Sequence, residues 1–209
     1  MHGENKQAHY LFYLHGQIVE GSDGSPVSPI YGIYQYHEIV KTFSDLGFRV
    51  ISEIRPHNCA IAPYAQKIAN EITDLLNKDI LPTQITVVGA SRGGMIAAMV
   101  SHAMADQPLL RYVILAGLFQ PFYKKENLPL HGQVLSIHDK ADKYPITPEL
   151  FFENSKALTR HQIIVTDTGL GHGLIFRPYP IWVEEVLAWT IPEYGTLEET
   201  LAKQRGSRY

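Results

Sequence analysis

The chain has 209 residues, of which 45% are hydrophobic, and its formal net charge is −3 at pH 7. This length predicts one domain over 1–209, with a core over about 10–190 and a polar tail over 191–209. The near-balanced charge excludes the strongly basic character of a nucleic-acid-binding protein, and the single cysteine excludes an internal disulfide framework.

The first half of the chain alternates short apolar stretches with amphipathic ones. In chain order it predicts a strand over 10–14, a Ser-, Pro- and Gly-rich loop over 21–32, a helix over 36–46, a strand over 48–54 and a helix over 63–78. The last of these helices carries a row of apolar side chains on one face, Ile68, Ile72, Leu75 and Leu76.

The second half continues this alternation up to a polar tail that begins at 191 and carries Leu197 and Leu201 at helical spacing. It predicts a strand over 85–88, a helix over 95–105, strands over 112–116 and 134–137, a helix over 148–158, a strand over 162–165 and a helix over 180–189. Several strands are apolar throughout, which is typical of a parallel sheet covered on both faces. The pattern therefore predicts an α/β fold, a three-layer α/β/α sandwich around a mostly parallel sheet of about six strands.

The turn between the strand over 85–88 and the helix that follows reads Gly89-Ala90-Ser91-Arg92-Gly93. A sharp turn from strand to helix exposes a serine hydroxyl and strains its backbone towards positive φ, while flanking glycines let the strand and the helix approach closely. The start of the helix adds free N–H groups and the positive end of the helix dipole. These properties make Ser91 a candidate nucleophile.

Ligands of parallel α/β sheets bind outside the carboxyl ends of the strands, so the residues that follow each strand matter most. Those positions hold His15-Gly16-Gln17, Arg55-Pro56-His57-Asn58, Ser91, Gly117-Leu118-Phe119, His138 to Asp142 and Asp167 to Gly173, the last of which includes His172. A serine, carboxylates and a histidine therefore fall on one edge of the sheet. An imidazole takes a proton from a serine near neutral pH, and a carboxylate fixes the imidazole tautomer and stabilises the imidazolium. The order Ser91, Asp142, His172 therefore predicts a catalytic triad.

The segments Gly89–Gly93, His15-Gly16-Gln17 and Gly171-His172-Gly173 make the chain resemble the α/β-hydrolase family, in a compact form without a cap that starts near the third strand of that fold. The resemblance covers about 10–189. It implies a serine esterase-like enzyme in which Ser91 attacks a carbonyl, His172 takes its proton and Asp142 orients His172. It also implies an oxyanion hole built from the backbone N–H groups of Gln17 and Arg92, and neither a cofactor nor a metal ion.

Several alternatives remain beside this interpretation. The family often carries Gly-x-x-Asp before its last strand, and here Asp139 takes the place of the glycine, so Asp139 is a second candidate acid if it is not a turn residue. A metal site at His138, Asp142 and His172 has no supporting ligand spacing. A non-catalytic module that binds an anion at the glycine-rich turn would leave Asp142 and His172 unexplained.

The stretch over 117–132 is short and interrupted by Pro121 and Pro129, so we expect no cap domain and an open site for a small-molecule ester or thioester. Arg92 is expected either to pair with a carboxylate of the protein or to contact an acidic substrate. Aromatic side chains near the strand ends either line an acyl pocket or pack in the core: Tyr31, Tyr34, Phe119, Phe122 and Tyr123.

The chain also lacks the patterns of membrane and export signals. No apolar stretch approaches the roughly 18–20 residues of a membrane-spanning helix. The polar start, Met1 to Lys6, lacks the basic-then-apolar layout of a signal peptide. We therefore expect a cytoplasmic protein without a nucleic-acid or membrane partner, and the sequence predicts no particular oligomeric state.

Overall fold

A computed structural model describes residues 8–126 and 128–191, and a parallel sheet of six strands runs through its centre. The strands, numbered in chain order, are β1 (Tyr10–Leu14), β2 (Val27–Ser28), β3 (Gly32–Ile33), β4 (Arg49–Ile51), β5 (Ile85–Ala90), β6 (Arg111–Leu115), β7 (Gly132–Asp139) and β8 (Leu158–Thr166). The sheet has the order β4-β1-β5-β6-β7-β8, and every neighbouring pair is parallel. Strands β2 and β3 form a separate antiparallel hairpin.

Helices connect the strands of the sheet. They are α1 (Tyr36–Asp45), α2 (Ile61–Leu76), α3 (Arg92–Ala103), α4 (Gln120–Glu126), α5 (Pro148–Glu153) and α6 (Pro180–Thr190), with 3₁₀ helices over Gln17–Val19, Pro82–Gln84 and Gly171–Phe176. None of the helices in the described part of the chain has the length and apolarity to span a membrane.

The sheet separates two cores, because successive side chains of a strand point to opposite faces. On one face, Val88 and Val113 pack with α1 and α6. On the other face, Val87 and Ile114 pack with α2, α3 and α5. Helices therefore cover both faces, which confirms the predicted three-layer α/β/α sandwich with a mostly parallel sheet.

The prediction was wrong between α5 and β8. The helix expected over 148–158 ends at Glu153, and the last strand begins at Leu158 rather than at 162. Ser155 turns the chain, since its hydroxyl donates to the carbonyl of Phe151 and accepts from the backbone N–H of Leu130 at 2.7 Å. The first half of β8 lies at the edge of the sheet with exposed polar side chains, so it lacks the apolar signature of a buried strand.

Two further segments contain short elements that the sequence did not indicate. The stretch 21–32, expected to be a loop, includes β2 and the first residue of β3, and the stretch 117–132 includes the short helix α4. Within the described part of 117–132, α4 is the only helix. The tail over 192–209, with Leu197 and Leu201, lies outside the described residues.

Candidate active site

Ser91 occupies the sharp turn between β5 and α3, with φ 53° and ψ −116°. A non-glycine residue with this backbone costs roughly 1–3 kcal/mol, which the surrounding packing must overcome. The two glycines of the motif make the turn possible, because a Cβ on Gly89 would collide with the carbonyl of Gly93, and one on Gly93 with the carbonyl of Leu14. The backbone N–H of Ser91 donates to the carbonyl of Leu115 at 2.8 Å and fixes the turn against β6.

Ser91, His172 and Asp142 form a continuous chain of hydrogen bonds. The Oγ of Ser91 lies 3.0 Å from Nε2 of His172, and Nδ1 of His172 lies 2.7 Å from Oδ2 of Asp142. A carboxylate only accepts, so the proton of the neutral ring is on Nδ1, and Nε2 is free to accept the serine hydroxyl. The side chains of Asp142 and His172 are 2% and 9% exposed, so bulk water has little access to their contact.

Asp139 has a different position from Asp142. Its carboxylate accepts hydrogen bonds from the hydroxyls of Thr166 and Thr168 and from the backbone N–H groups of Ala141, Thr168 and Gly171. Burial raises the pKa of Asp139, but these donors outweigh burial and hold the pKa well below its usual range. Asp139 thus joins the turn after β7 to the loop that precedes His172, and Asp142 is the carboxylate that contacts the imidazole.

The loop after β1 approaches Ser91 through Gly16 and Gln17. His15 is fully buried: its Nε2 accepts the backbone N–H of Arg55 at 3.0 Å, and its Nδ1 contacts the carbonyl of Gly16 at 2.8 Å. Burial, reinforced by the charge of Arg55, lowers the pKa of His15 to about 4, so the ring is neutral at pH 7. His15 therefore holds the loop in place.

Gln17 and Arg92, the predicted oxyanion-hole residues, each begin a helix. Gln17 is the first residue of the 3₁₀ helix over Gln17–Val19, and Arg92 is the first residue of α3. The first N–H groups of a helix have no acceptor within that helix, so they are available to an oxygen from outside. Both residues line a cavity together with Ser91.

The side chain of Arg92 pairs with a carboxylate of the protein, the first of its two predicted roles. Its Nε lies 3.2 Å from Oε1 of Glu20, and its Nη2 donates to the carbonyl of Cys59 at 2.7 Å. The same oxygen of Glu20 lies 3.4 Å from Nε of Arg55. Sequence reasoning assigned no role to Glu20 or Arg55, because isolated charged residues in loops form no motif.

Two cavities adjoin Ser91, with volumes of about 330 and 280 Å³. Gln17, Ser91 and Tyr144 line both of them. Tyr144, which sequence reasoning also missed, packs on the imidazole with its ring centroid 4.6 Å from that of His172. The predicted aromatic residues divide between the cavities: Tyr31 and Tyr34 line the larger, Phe119 and Phe122 the smaller, and the side chain of Tyr123 lies outside what is described.

Over 8–126 and 128–191, no group of three His, Cys, Asp or Glu side chains comes together in a way that would hold a metal ion. Asp142 and His172, two of the three ligands weighed from the sequence, bond to one another.

Comparison of the whole chain with known proteins gives a fold. No protein-family model and no curated protein sequence matches the chain. Many solved structures are similar to it. Among them are a YdeN-like hydrolase from Pectobacterium atrosepticum (TM-score 0.58, 11% identity, 88% of this chain and 91% of that one), the esterase Est2 from Thermogutta terrifontis (0.58, 16%, 90% and 85%) and SOBER1 from Arabidopsis thaliana (0.56, 11%, 88% and 97%). The likeness shows that this chain has the α/β-hydrolase fold.

Proposed function

We propose that this chain of α/β-hydrolase fold is a serine hydrolase that cleaves a small carboxylic ester or thioester through an acyl-enzyme intermediate. The observation that carries the proposal is the hydrogen-bonded chain from Ser91 through His172 to Asp142, with contacts of 3.0 and 2.7 Å. Ser91 lies at a strained turn and lines both cavities, so a substrate carbonyl has access to the serine hydroxyl. Two of the similar solved structures carry the names hydrolase and esterase, which agrees with this reaction class.

The proposed reaction starts with proton transfer from Ser91 to Nε2 of His172 as Oγ attacks the carbonyl carbon. Asp142 stabilises the resulting imidazolium, and the N–H groups of Gln17 and Arg92 donate to the oxyanion. When the tetrahedral intermediate collapses, the bond to the leaving group breaks, and the departing oxygen or sulfur takes the proton from His172. A water molecule, deprotonated by His172, then attacks the carbonyl carbon of acyl-Ser91. The carboxylic acid is released, and Ser91 regains its hydroxyl proton from His172. No cofactor enters these steps.

The anion-binding alternative has less support. The side chain of Arg92 at the glycine-rich turn is already paired with Glu20, and the hydroxyl of Ser91 is bonded to His172. An anion at the start of α3 would leave the contact between His172 and Asp142 without a role.

A fluorophosphonate probe tests the proposal directly, because it modifies only an activated serine. We expect covalent labelling at Ser91, located by peptide mass spectrometry, that disappears in Ser91→Ala and persists in Ser44→Ala, a control on the exposed side of α1. Hydrolysis of p-nitrophenyl esters should fall roughly 10⁴- to 10⁶-fold in Ser91→Ala. A folded protein that is neither labelled nor active on p-nitrophenyl esters and acyl-CoA thioesters would contradict the proposal.

A further inference from the structure

We infer that the two cavities beside Ser91 bind different parts of the substrate. The geometry assigns the leaving group to the larger cavity and the acyl group to the smaller one, and it favours a neutral leaving group that bears an aromatic ring. This inference rests on the proposed function and names the class of substrate for the same site.

The position of His172 sets the direction in which the substrate lies. After the serine attacks, the imidazolium must pass its proton to the leaving atom, and a general acid acts only within hydrogen-bond reach of that atom. His172 lines the cavity of about 330 Å³ and is not among the described residues that line the cavity of about 280 Å³. The leaving group therefore belongs in the larger cavity, and the acyl group in the smaller cavity that Ser91 also lines.

Four Tyr and Phe rings line the larger cavity, here called the leaving-group cavity. The ring of Phe176 lies 5.3 Å from that of Tyr31 and 5.0 Å from that of Tyr34, and Tyr144 stands at the rim with about half of its surface exposed. Rings at such distances favour another ring in an offset or edge-on arrangement. A ring on the leaving group would also cover Tyr144 and the partly exposed Ile18, which are otherwise open to water.

The absence of charged side chains among the described lining residues favours an uncharged leaving group. Of the described residues around the leaving-group cavity, none is Lys, Arg, Asp or Glu. Burial raises the pKa of Tyr31, with Asp142 adding to the shift, so its phenol is neutral at pH 7. A phosphate-rich leaving group such as coenzyme A would find no cation here, whereas a neutral ring-bearing alcohol loses no charge–charge partner on binding.

The smaller cavity, here called the acyl cavity, is lined by Met95, Phe119 and Phe122 beside Arg92. The guanidinium of Arg92 is held by Glu20 and by the carbonyl of Cys59, so its charge already has a partner in the protein. An apolar acyl group therefore fits this side of Ser91.

Two ester series with matched chemistry test the assignment. In the first, the acyl group is butyryl and the leaving alcohol is benzyl, cyclohexylmethyl or 4-carboxybenzyl alcohol, with butyryl-CoA beside them. In the second, the alcohol is benzyl and the acyl group is acetyl, butyryl or hexanoyl. We expect kcat/KM for benzyl butyrate to exceed that for cyclohexylmethyl butyrate by about 3- to 10-fold, and the charged substrates to be poorer still.

Variants in the two cavities should affect different series. Tyr31→Leu should lower the benzyl-to-cyclohexylmethyl ratio about 3-fold or more and leave the acyl preference unchanged, while Tyr31→Phe, which keeps the ring, should retain the ratio. Met95→Ala should shift the acyl preference towards hexanoyl and leave the alcohol ratio unchanged.

The outcomes separate this inference from the proposed function. If turnover disappears in Ser91→Ala but Tyr31→Leu alters the acyl preference, or alters neither series, the assignment is overturned and the serine mechanism stands. A preference for butyryl-CoA over the benzyl ester would also overturn it. If Ser91→Ala keeps its turnover, the proposed function fails and the assignment fails with it.

Discussion

Asp139, the last residue of β7, and Asp142, three residues later, are expected to differ in what their loss does. Asp142→Asn removes the anion that fixes the tautomer of His172, so we expect kcat to fall about 10⁴-fold with little change in the thermal midpoint. Asp139→Asn leaves buried donors without an acceptor, and we expect about 1–3 kcal/mol lower free energy of unfolding. Ester hydrolysis and urea unfolding measure the two effects, and an Asp139→Asn variant that is stable but inactive would reverse the roles.

His15 gives the molecule a pH-dependent stability. Its pKa is lowered from 6.5 to about 4, so the unfolded chain binds the proton more tightly than the folded one. Neutral His15 makes its full contribution to the free energy of unfolding above pH 6.5. As the pH falls towards 4, this free energy decreases by about 3 kcal/mol. We expect wild type to lose this much more free energy of unfolding between pH 7 and pH 4 than His15→Gln, in urea titrations at both values. Equal losses would show that His15 titrates normally.

Single residues were predictable only where they belong to a motif. Ser91, His172 and Asp142 lie in short patterns whose order and position after strands indicate their chemistry, and the structure brings them into contact. Glu20 and Tyr144 lie in loops, and they reach the site because the fold brings distant segments together. Nothing in their local sequence indicates this.

At the scale of elements, Glu20 connects the two sides of the proposed oxyanion hole. It follows the 3₁₀ helix that begins at Gln17, it is almost fully buried, and its carboxylate contacts Arg92, the first residue of α3. We expect Glu20→Gln to lower kcat about 10- to 100-fold with a smaller change in KM, because the two N–H donors lose their fixed spacing. Steady-state kinetics beside a thermal melt measure this.

An exposed ion pair provides the control for that experiment. Lys41 and Asp45 form an exposed ion pair on the surface of α1. Lys41→Ala therefore removes a charge that has no contact with Glu20 or Arg92. It should leave kcat and KM unchanged. A Glu20→Gln variant with raised KM and unchanged kcat would mean that Glu20 affects substrate binding alone.

Strands buried on both faces were predictable, and edge strands were predictable only in part: the strand expected over 48–54 contains β4, but the start of β8 was missed. Strands β1, β5, β6 and β7 are covered on both faces, and their apolar runs identify them. The first half of β8 forms its backbone bonds with β7 but exposes polar side chains, so its pattern is that of a loop. The β2–β3 hairpin has strands of two residues each, too short to show any alternation.

For the whole molecule, we propose that the two cores unfold together as one domain, because β5 and β6 contribute alternate side chains to both. The two tryptophans of the chain, Trp182 and Trp189, belong to α6 and lie in the core that also includes α1. Ile72→Ala, in the opposite core, should lower the free energy of unfolding by about 2–5 kcal/mol when followed by tryptophan fluorescence and by circular dichroism alike. An unchanged fluorescence midpoint would show that the cores unfold separately.

The short segment after β7 places Asp142 against the imidazole, and two residues later it places Tyr144 between the cavities. The backbone N–H of Tyr144 even donates to Asp142 at 3.0 Å. A mutation that reshapes this segment for a new substrate would therefore also disturb the proposed proton transfer. Divergence among descendants of this protein should accordingly accumulate in the β2–β3 hairpin and around Phe119, where the walls of the cleft can change while the acid stays in place.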